Sequence, residues 1–219
     1  MNRIKKIKGI EMFKKIILSL VIGSAIYASS VDKEIYVDFE NLNQKEWTQF
    51  SKWEVQTLKD APSGSKVVSM VKNQKSFFGF GGLGFNLFFN KNINFYNGEI
   101  SVKFKANSGM LDQGGGLMWR VKDKGNYYIA RFNPLEDNLT FYKVIDGDRI
   151  QLASTTITLS KGWHTIKVVQ NDNHFTGYLD GKKVLEKKDD SILYSGGVGL
   201  WTKADAKTSF DDLHIKITK

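Results

Sequence analysis

The stretch Leu111–Tyr142, LDQGGGLMWRVKDKGNYYIARFNPLEDNLTFY, decides the fold that we predict for this chain of 219 residues. It contains three runs that are typical of strands, Gly116–Val121, Tyr127–Asn133 and Leu139–Val144. The two segments between them are rich in Gly, Pro, Asn and Asp, which is typical of turns. The stretch therefore predicts three strands that pair as an antiparallel meander.

The middle run carries polar and aromatic side chains on one face. Residues two apart in a strand share a face, so Tyr127, Arg131 and Asn133 point to one side. Arg120 and Tyr142 lie on the flanking runs, within cross-strand reach of that side. Arginine forks and flat aromatic rings together suit a polyhydroxylated or carboxylated ligand. A solvated face with snorkelling side chains explains the same pattern, and the sequence leaves both interpretations open.

Short alternating runs of the same kind continue along the chain after residue 30, from Glu34–Phe39 to Thr208–Ile217. Strands at this spacing, separated by Gly, Asn and Asp, predict an all-β protein, an antiparallel β-sandwich of the jelly-roll type. The sequence Asp180-Gly181 inside the run Tyr178–Val184 predicts a hairpin with a type I′ turn. No linker or internal repeat is visible, so residues 29–219 are predicted to form a single domain.

The first 28 residues are typical of a signal peptide. Basic residues precede a short apolar run, Ile16–Gly23, and small residues follow it. Cleavage after Ala28 is the preferred prediction, with cleavage after Ala25 or an uncleaved anchor as alternatives. The chain is therefore expected to be periplasmic or secreted, with no membrane span once the signal is removed. It has no cysteine, so the exported domain must be stabilised by its core without disulfides.

The formal net charge of +9 falls when the signal segment is set aside, because that segment carries six of the 32 basic residues and one of the 23 acidic ones. The remaining lysines are scattered rather than arranged in a stripe, so nucleic acid is not a predicted partner. Residues 79–84 match G-x-G-x-x-G, but the strand-like run Phe85–Phe89 follows where a dinucleotide site needs a helix. No nucleotide cofactor is therefore predicted.

Two groups of motifs resemble known families. Gly162–Val168 and Tyr178–Lys182 resemble the W-H…Y-L-D-G-K signature of laminin-G-like and concanavalin A-like jelly rolls. Segments from 97 to 217 resemble a group of exported bacterial concanavalin A-like domains, similar in layout to 3-keto-disaccharide hydrolases and more distantly to family 16 glycoside hydrolases. These segments are Asn126–Tyr128, Arg131, Asn133–Asn138, Gly197–Asp205 and Phe210–Leu213.

The resemblance implies a jelly-roll fold, but the activity is left open because this fold hosts lectins, hydrolases and spacers. Family 16 hydrolases carry two carboxylates on one strand as E-x-D-x-x-E, and no such spacing occurs here. A hydrolase of the keto-disaccharide kind stays possible without a named acid or base. Glu136 is the first carboxylate to test for that role.

A calcium site is one further candidate. Asp38 and Glu40 on the first strand and Asp212 on the last could share a structural Ca²⁺, since this ion binds about six or more oxygen ligands. Charges that discourage association of sheet edges are the alternative explanation for the same residues.

The function favoured by the sequence is binding of a saccharide or glycan on the concave sheet. A glycoside hydrolase or lyase and a structural or protein-interaction domain are the alternatives. Glu136 could instead be a salt-bridge partner of Arg131 or Arg120, and Trp201 could be a core residue rather than a stacking platform. The candidate ligand-binding residues are Arg120, Tyr127, Arg131, Asn133, Glu136, Asn138, Tyr142, Trp201 and Lys203.

Overall fold

A computed structural model describes residues 31–73 and 84–219. The predicted signal peptide and most of the G-x-G-x-x-G match lie outside the described residues. The described residues form these strands: β1 (Val31–Val37), β2 (Thr48–Phe50), β3 (Lys52–Thr57), β4 (Lys66–Lys72), β5 (Phe85–Phe95), β6 (Asn97–Ser108), β7 (Gly115–Asp123), β8 (Asn126–Asn133), β9 (Asn138–Ile145), β10 (Asp148–Thr156), β11 (His164–Asn171), β12 (His174–Leu179), β13 (Lys182–Lys188), β14 (Gly196–Lys203) and β15 (Lys207–Thr218).

The strands form two sheets whose pairings are antiparallel, which confirms the predicted sandwich. The first sheet has the order β13-β12-β11-β6-β15-β4-β3, with β1 also paired to β15. The second sheet has the order β10-β9-β8-β7-β14-β5-β2. Strands β7, β8 and β9 pair in succession, so the meander predicted from Leu111–Tyr142 lies in the second sheet.

The alternation predicted for β8 separates its two faces. Tyr128, Ala130 and Phe132 pack into the core between the sheets, whereas Tyr127 and Ile129 belong to a second cluster on the opposite face. We call that opposite face, turned away from the other sheet, the outer face. Tyr127 and Ile129 are buried as completely as the core residues, so around β8 the outer face is not the solvated face that was the alternative interpretation.

Aromatic rings fill the core between the sheets. Trp119 of the second sheet contacts Phe175 of the first sheet, with ring centroids 5.6 Å apart. The Trp119 Nε1 donates a hydrogen bond of 2.8 Å to Gln170 Oε1, which satisfies a buried polar atom that would otherwise be costly. Such contacts hold the second sheet in place and leave its outer face available for the site.

The hairpin between β12 and β13 has the predicted turn. Asp180 and Gly181 have φ values of 49° and 79°, the two positive values that a type I′ turn requires. The Asp180 carboxylate accepts hydrogen bonds from the Thr165 backbone N–H at 2.7 Å and lies 2.6 Å from His164 Nδ1. The W-H…Y-L-D-G-K segments are therefore joined by a structural contact that fastens this hairpin to β11.

The terminal strands lie side by side, as the calcium prediction assumed, because β1 pairs with β15. Asp38 and Glu40 come directly after β1 rather than within it. In the part of the chain that is described, no helix is both long and apolar enough to cross a membrane.

Candidate functional site

A buried arginine at one end of the outer face organises several of the predicted site residues. The Arg131 guanidinium donates to Asp112 Oδ1 at 2.7 Å, and to Glu136 Oε2 and the Tyr142 hydroxyl at 3.3 Å each. Its side chain is 2 % exposed and that of Asp112 is 4 % exposed, whereas that of Glu136 is 52 % exposed. Arg131 therefore links a buried carboxylate to one that faces solvent.

Two further predicted residues complete this group. Asn138 Nδ2 donates to Glu136 Oε2 at 3.0 Å, and Lys203 Nζ lies 3.7 Å from Asp112 Oδ2. The Asn133 side chain has a supporting role, because its Oδ1 accepts the Leu135 backbone N–H at 3.0 Å and shapes the turn that carries Glu136. We call the following residues the Arg131 network: Asp112, Arg131, Glu136, Asn138, Tyr142 and Lys203.

The loop that carries Asp112 is fixed by a second carboxylate. Asp205, in the turn after β14, accepts the backbone N–H groups of Met110, Leu111 and Asp112 at 2.7 to 3.0 Å. Partial burial raises the pKa of Asp205, but these three backbone donors outweigh it and hold the pKa below its ordinary value. The Asp112 carboxylate is thus presented to Arg131 by a loop that is itself anchored to the neighbouring strand.

The charges in the Arg131 network stabilise one another. Burial lowers the pKa of Arg131, but the charge and hydrogen bond of Asp112 outweigh this effect and raise it above its ordinary value. Partial burial raises the pKa of Glu136, but the hydrogen bond from Asn138 and the charge of Arg131 outweigh it, so the pKa is lowered. Glu136 is therefore ionised at neutral pH and offers acceptor oxygens to solvent.

The lowered pKa of Glu136 predicts a pH dependence of stability. A carboxylate whose pKa is lower in the folded state stabilises the fold above its unfolded pKa of about 4.3, and this stabilisation is lost as pH falls through the folded value. Substitution Glu136→Gln should therefore reduce the dependence of the unfolding free energy on pH below about pH 4.5. Urea unfolding of wild type and variant at several pH values measures this dependence. If the unfolding free energies of the two proteins change in parallel with pH, the lowered pKa of Glu136 is contradicted.

The other part of the outer face is aromatic and contains an arginine that the sequence prediction did not include. The Arg149 guanidinium carbon lies 4.4 Å from the centroid of the Tyr142 ring, 5.7 Å from that of Phe85 and 5.8 Å from that of Trp201. The Phe85 and Trp201 rings are themselves 5.3 Å apart. We call these four residues the Arg149 cluster; Tyr142 belongs to both groups.

These contacts show that the outer face is strongly curved. Arg149 lies on β10 and Trp201 on β14, and three strands separate them, which corresponds to about 19 Å in a flat sheet. Phe85 begins β5, so it lies at the corner of the sheet diagonally opposite the start of β10. Because the strands of a sheet twist steadily, opposite corners approach each other over one face. Along this diagonal the outer face is therefore concave, and a concave sheet was expected to carry the site.

A cavity of about 620 Å³ opens between these corners. Phe50, Phe85 and Leu87 line one side of it. The other side is formed by the β7–β8 turn, Asp123–Asn126, and by Asp146 and Gly147 of the β9–β10 turn. The Gly147 N–H donates to the Gly125 carbonyl at 3.0 Å, which joins the two turns into one wall. An apolar side facing a polar wall is typical of small-ligand sites.

Trp201 and Tyr127 are buried rather than displayed as platforms. Both side chains are 0 % exposed. Burial raises the pKa of the Tyr127 hydroxyl, while the nearby Trp201 and the charge of Arg149 lower it to a smaller extent. The Tyr127 hydroxyl and Trp201 Nε1 nevertheless do not reach hydrogen-bonding geometry with each other or with any other group of the described residues. These two residues therefore pack beneath the surface of the outer face and are not exposed to a ligand.

Arg120 lies apart from the other candidates. Its Nη1 donates to the Ile192 carbonyl at 2.6 Å, and its Nη2 to the carbonyls of Asp172 at 2.6 Å and Tyr96 at 3.0 Å. Arg120 has φ 51° at an irregularity in the β7–β8 pairing, so its side chain leaves the alternation of the strand. The structure does not bring it together with Arg131.

The three residues predicted for calcium each hold separate partners. Asp38 accepts the Glu40 backbone N–H at 3.0 Å, and Glu40 accepts the Ser65 N–H at 2.6 Å. Asp212 accepts the Ser63 hydroxyl at 2.6 Å and lies 2.7 Å from Lys103 Nζ. Within residues 31–73 and 84–219, no three His, Cys, Asp or Glu side chains come close enough to hold a metal ion. The calcium site stays a prediction.

Sequence reasoning missed Asp112, Asp205 and Arg149. Asp112 stands alone in its loop and meets Arg131 only through the fold. Arg149 could have been predicted from the sequence, because Asp146-Gly147 marks a turn. Pairing across this turn sets Arg149 opposite Val144, on the same face as Tyr142. What the sequence could not show is the curvature that carries Arg149 to Phe85 and Trp201.

Comparisons with known proteins identify the fold. No family model matches the chain, and no curated protein matches it. Among solved structures, the carbohydrate-binding module CBM66 from Bacillus subtilis matches with a TM-score of 0.62 and 19 % identity, over 79 % of this chain and 97 % of that one. The chain has a concanavalin A-like jelly-roll fold.

Two further structures of this fold are similar. A protein of unknown function with a galectin-like fold from Bacillus subtilis has a TM-score of 0.62 and 14 % identity, over 87 % of this chain and 100 % of its own. A beta-glucanase from Bacillus licheniformis has a TM-score of 0.58 and 11 % identity, over 85 % and 98 %. At these low identities the similarity to the three proteins concerns the fold alone, and it confirms the predicted jelly roll.

Proposed function

We propose that this jelly roll is an exported domain that binds a saccharide or glycan at the outer face of its second sheet. The observation that carries the proposal is the Arg131 network, which gathers five of the nine predicted ligand-binding residues at one end of a concave, aromatic-rich face. A carbohydrate-binding module and a beta-glucanase are among the proteins that share the fold, which is consistent with this use of it.

At its solvent-exposed edge, the Arg131 network presents both hydrogen-bond acceptors and donors for sugar hydroxyl groups. Glu136 presents acceptor oxygens, and Asn138 and Lys203 supply donors beside it. The buried Arg131 holds the Glu136 carboxylate in place. The entropy cost of ordering that side chain on binding is therefore small. The half-buried Phe85 ring at the cavity supplies a flat apolar surface against which a sugar face can stack.

A glycan array with the purified mature domain tests the proposal, run once with calcium and once with a chelator. We expect selective binding to one group of glycans, with affinity reduced about tenfold or more by Glu136→Gln or Lys203→Met, since each removes a charged hydrogen-bonding group. Glu186→Gln, a charge change on the exposed strand β13 of the first sheet, is the control and should leave binding unchanged. An array without any selective signal would contradict glycan binding.

The chelator arm addresses the predicted Ca²⁺ near Asp38, Glu40 and Asp212. Binding that is lost with chelator and restored by calcium supports the ion, and binding that is identical in both arms contradicts a role for it. Export is tested separately. Amino-terminal sequencing of protein recovered from the periplasm or medium should give Ser29 as the first residue, following cleavage after Ala28.

A glycoside-processing enzyme is the second candidate, because Asp112 and Glu136 lie on the two sides of one guanidinium. Two carboxylates close together are what glycoside chemistry uses. With its pKa lowered, Glu136 would act as a base rather than as an acid. Cleavage of 3-keto-glycosides that Glu136→Gln abolishes would support this candidate, and a protein that binds glycans without cleaving them would exclude it.

A further inference from the structure

Three arginines lie on the second sheet, and their surroundings differ. Arg131 is paired with Asp112 and Glu136, and Arg120 donates to three backbone carbonyls. Arg149 has neither kind of partner among the described residues: it forms no ion pair there, and its Nη1 is buried without a hydrogen bond. Arg131 Nε is also buried without a hydrogen bond there, but its guanidinium is ion-paired, so Arg149 differs in lacking a counter-charge. A buried guanidinium nitrogen without an acceptor is rare in folded proteins and calls for an explanation.

The aromatic rings around Arg149 hold the guanidinium but do not supply acceptors. The Tyr142 ring lies 4.4 Å from the guanidinium carbon, a distance typical of a cation–π contact. The Tyr142 hydroxyl accepts a hydrogen bond from Arg131, which fixes the position of that ring. Arg149 is therefore ordered by contacts with aromatic rings, while its buried Nη1 has no acceptor among the residues that the structure describes.

The neighbouring polar atoms are also without acceptors. Trp201 Nε1 can only donate, and it is buried without a partner within residues 31–73 and 84–219; the same holds for the Tyr127 hydroxyl. Trp201 belongs to the Arg149 cluster, and Tyr127 is close enough to Arg149 for the arginine to influence its pKa. Among the described residues, this part of the outer face thus contains unpaired donors from three residues. The carboxylates of the cavity wall, Asp123 and Asp146, form no ion pair with Arg149, and Asp123 is instead held by Gly125 and Asn126.

The cavity gives a ligand a route to this place. Phe85 lines the cavity and also contacts Arg149, while Gly147, two residues before Arg149, lies in the opposite wall. Arg149 is partly exposed, whereas Trp201 and Tyr127 are fully buried. None of these three residues lines the cavity itself, but Arg149 is the one that solvent reaches, beside Phe85 at its edge.

We propose that Arg149 makes the site specific for an acidic saccharide, with the guanidinium fork binding a carboxylate or sulfate group of the sugar. The inference rests on the proposed glycan-binding function and names the class of ligand. Arginine suits this role because its planar fork binds carboxylate and sulfate oxygens in pairs and it stays charged at every relevant pH.

A matched pair of ligands tests the inference by calorimetry. One is an oligogalacturonate, the other the same oligosaccharide with its carboxylates methyl-esterified, and a sulfated oligosaccharide forms a third arm. We expect an acidic ligand to bind at least about tenfold more tightly than the ester, and Arg149→Gln to remove that difference. Comparison of the affinities for the oligogalacturonate and the sulfated oligosaccharide shows whether carboxylate or sulfate is preferred.

The controls separate this inference from the proposed function. Lys182→Gln removes one positive charge from the exposed start of β13 in the first sheet and should leave the difference intact. Equal binding of acid and ester, or binding of neutral glycans alone, would overturn the role of Arg149 while glycan binding itself stands. Failure of every ligand here and on the glycan array would overturn both. Thermal unfolding verifies that Arg149→Gln remains folded.

Discussion

Replacement of Asp112 by alanine is expected to destabilise the fold by about 3–5 kcal/mol, because it leaves Arg131 buried with its nearest counter-charge removed. The Arg131 side chain is 2 % exposed, and Glu136, at 3.3 Å and half exposed, is too distant and too well solvated to replace Asp112. Lys203 loses the same carboxylate. Urea unfolding of wild type and variant measures the change.

Two controls define what the Asp112 result means. Asp60→Ala removes an exposed carboxylate paired with Lys105, and it should leave the unfolding free energy nearly unchanged, because solvent screens such a pair. The double variant Asp112→Leu with Arg131→Met replaces the buried pair by apolar groups and should recover much of the loss. A cost below about 1 kcal/mol for Asp112→Ala would mean that water reaches Arg131, and the description of a buried ion pair would be wrong.

The burial of Arg131 also decides which variants report on ligand binding. A substitution at Arg131 changes stability and the position of Glu136 together, so a loss of binding would have two explanations. Glu136 and Lys203 lie at the solvent edge of the same network, and their substitution leaves the pair of Arg131 and Asp112 in place. Binding experiments are therefore best directed at the edge of the network.

Local patterns were sufficient to predict the sandwich and parts of the site. The period of two set Tyr127 and Ile129 on one face of β8 and Tyr128 and Ala130 on the other, as the structure confirms. Asp180-Gly181 specified its own turn, because only a few residue pairs adopt positive φ easily. In both cases the information lies within a few residues of the feature that it determines.

The rest of the site depends on contacts between distant parts of the chain. Asp112 meets Arg131 through a loop anchored by Asp205, and nothing near Asp112 in the sequence indicates this partner. Arg149 reaches Trp201 because the whole sheet is curved, a property to which every strand contributes. The outer face was expected to be either solvated or ligand-binding, and no local pattern indicates that buried aromatic side chains would occupy much of it.

Arg120 shows how one irregularity changes the role of a residue. Strict alternation along β7 predicted a side chain beside Tyr127 and Arg131. The residue instead has φ 51°, and the pairing of β7 with β8 is irregular between Trp119 and Asp123. A bulge of this kind redirects a side chain. Here it sends the guanidinium to three carbonyls and to the Tyr96 ring, whose centroid is 4.1 Å away.

Substitution Arg120→Met is accordingly expected to lower the unfolding free energy by about 3 kcal/mol or more, since it leaves the carbonyls of Tyr96, Asp172 and Ile192 without their charged donor. Methionine keeps much of the apolar volume, so the loss reports mainly on hydrogen bonds. Arg120→Lys retains the charge but not the planar guanidinium, so its unfolding free energy should lie between those of wild type and Arg120→Met.

The same variant distinguishes a structural role from ligand binding. Under conditions in which Arg120→Met is still folded, its affinity for the glycan that wild type binds should be unchanged, because Arg120 contacts neither the Arg131 network nor the Arg149 cluster. Calorimetry below the midpoint of unfolding measures this affinity. A variant of wild-type stability that has lost binding would show that Arg120 contacts the ligand, and the carbonyl contacts would then not explain why arginine occupies this bulge.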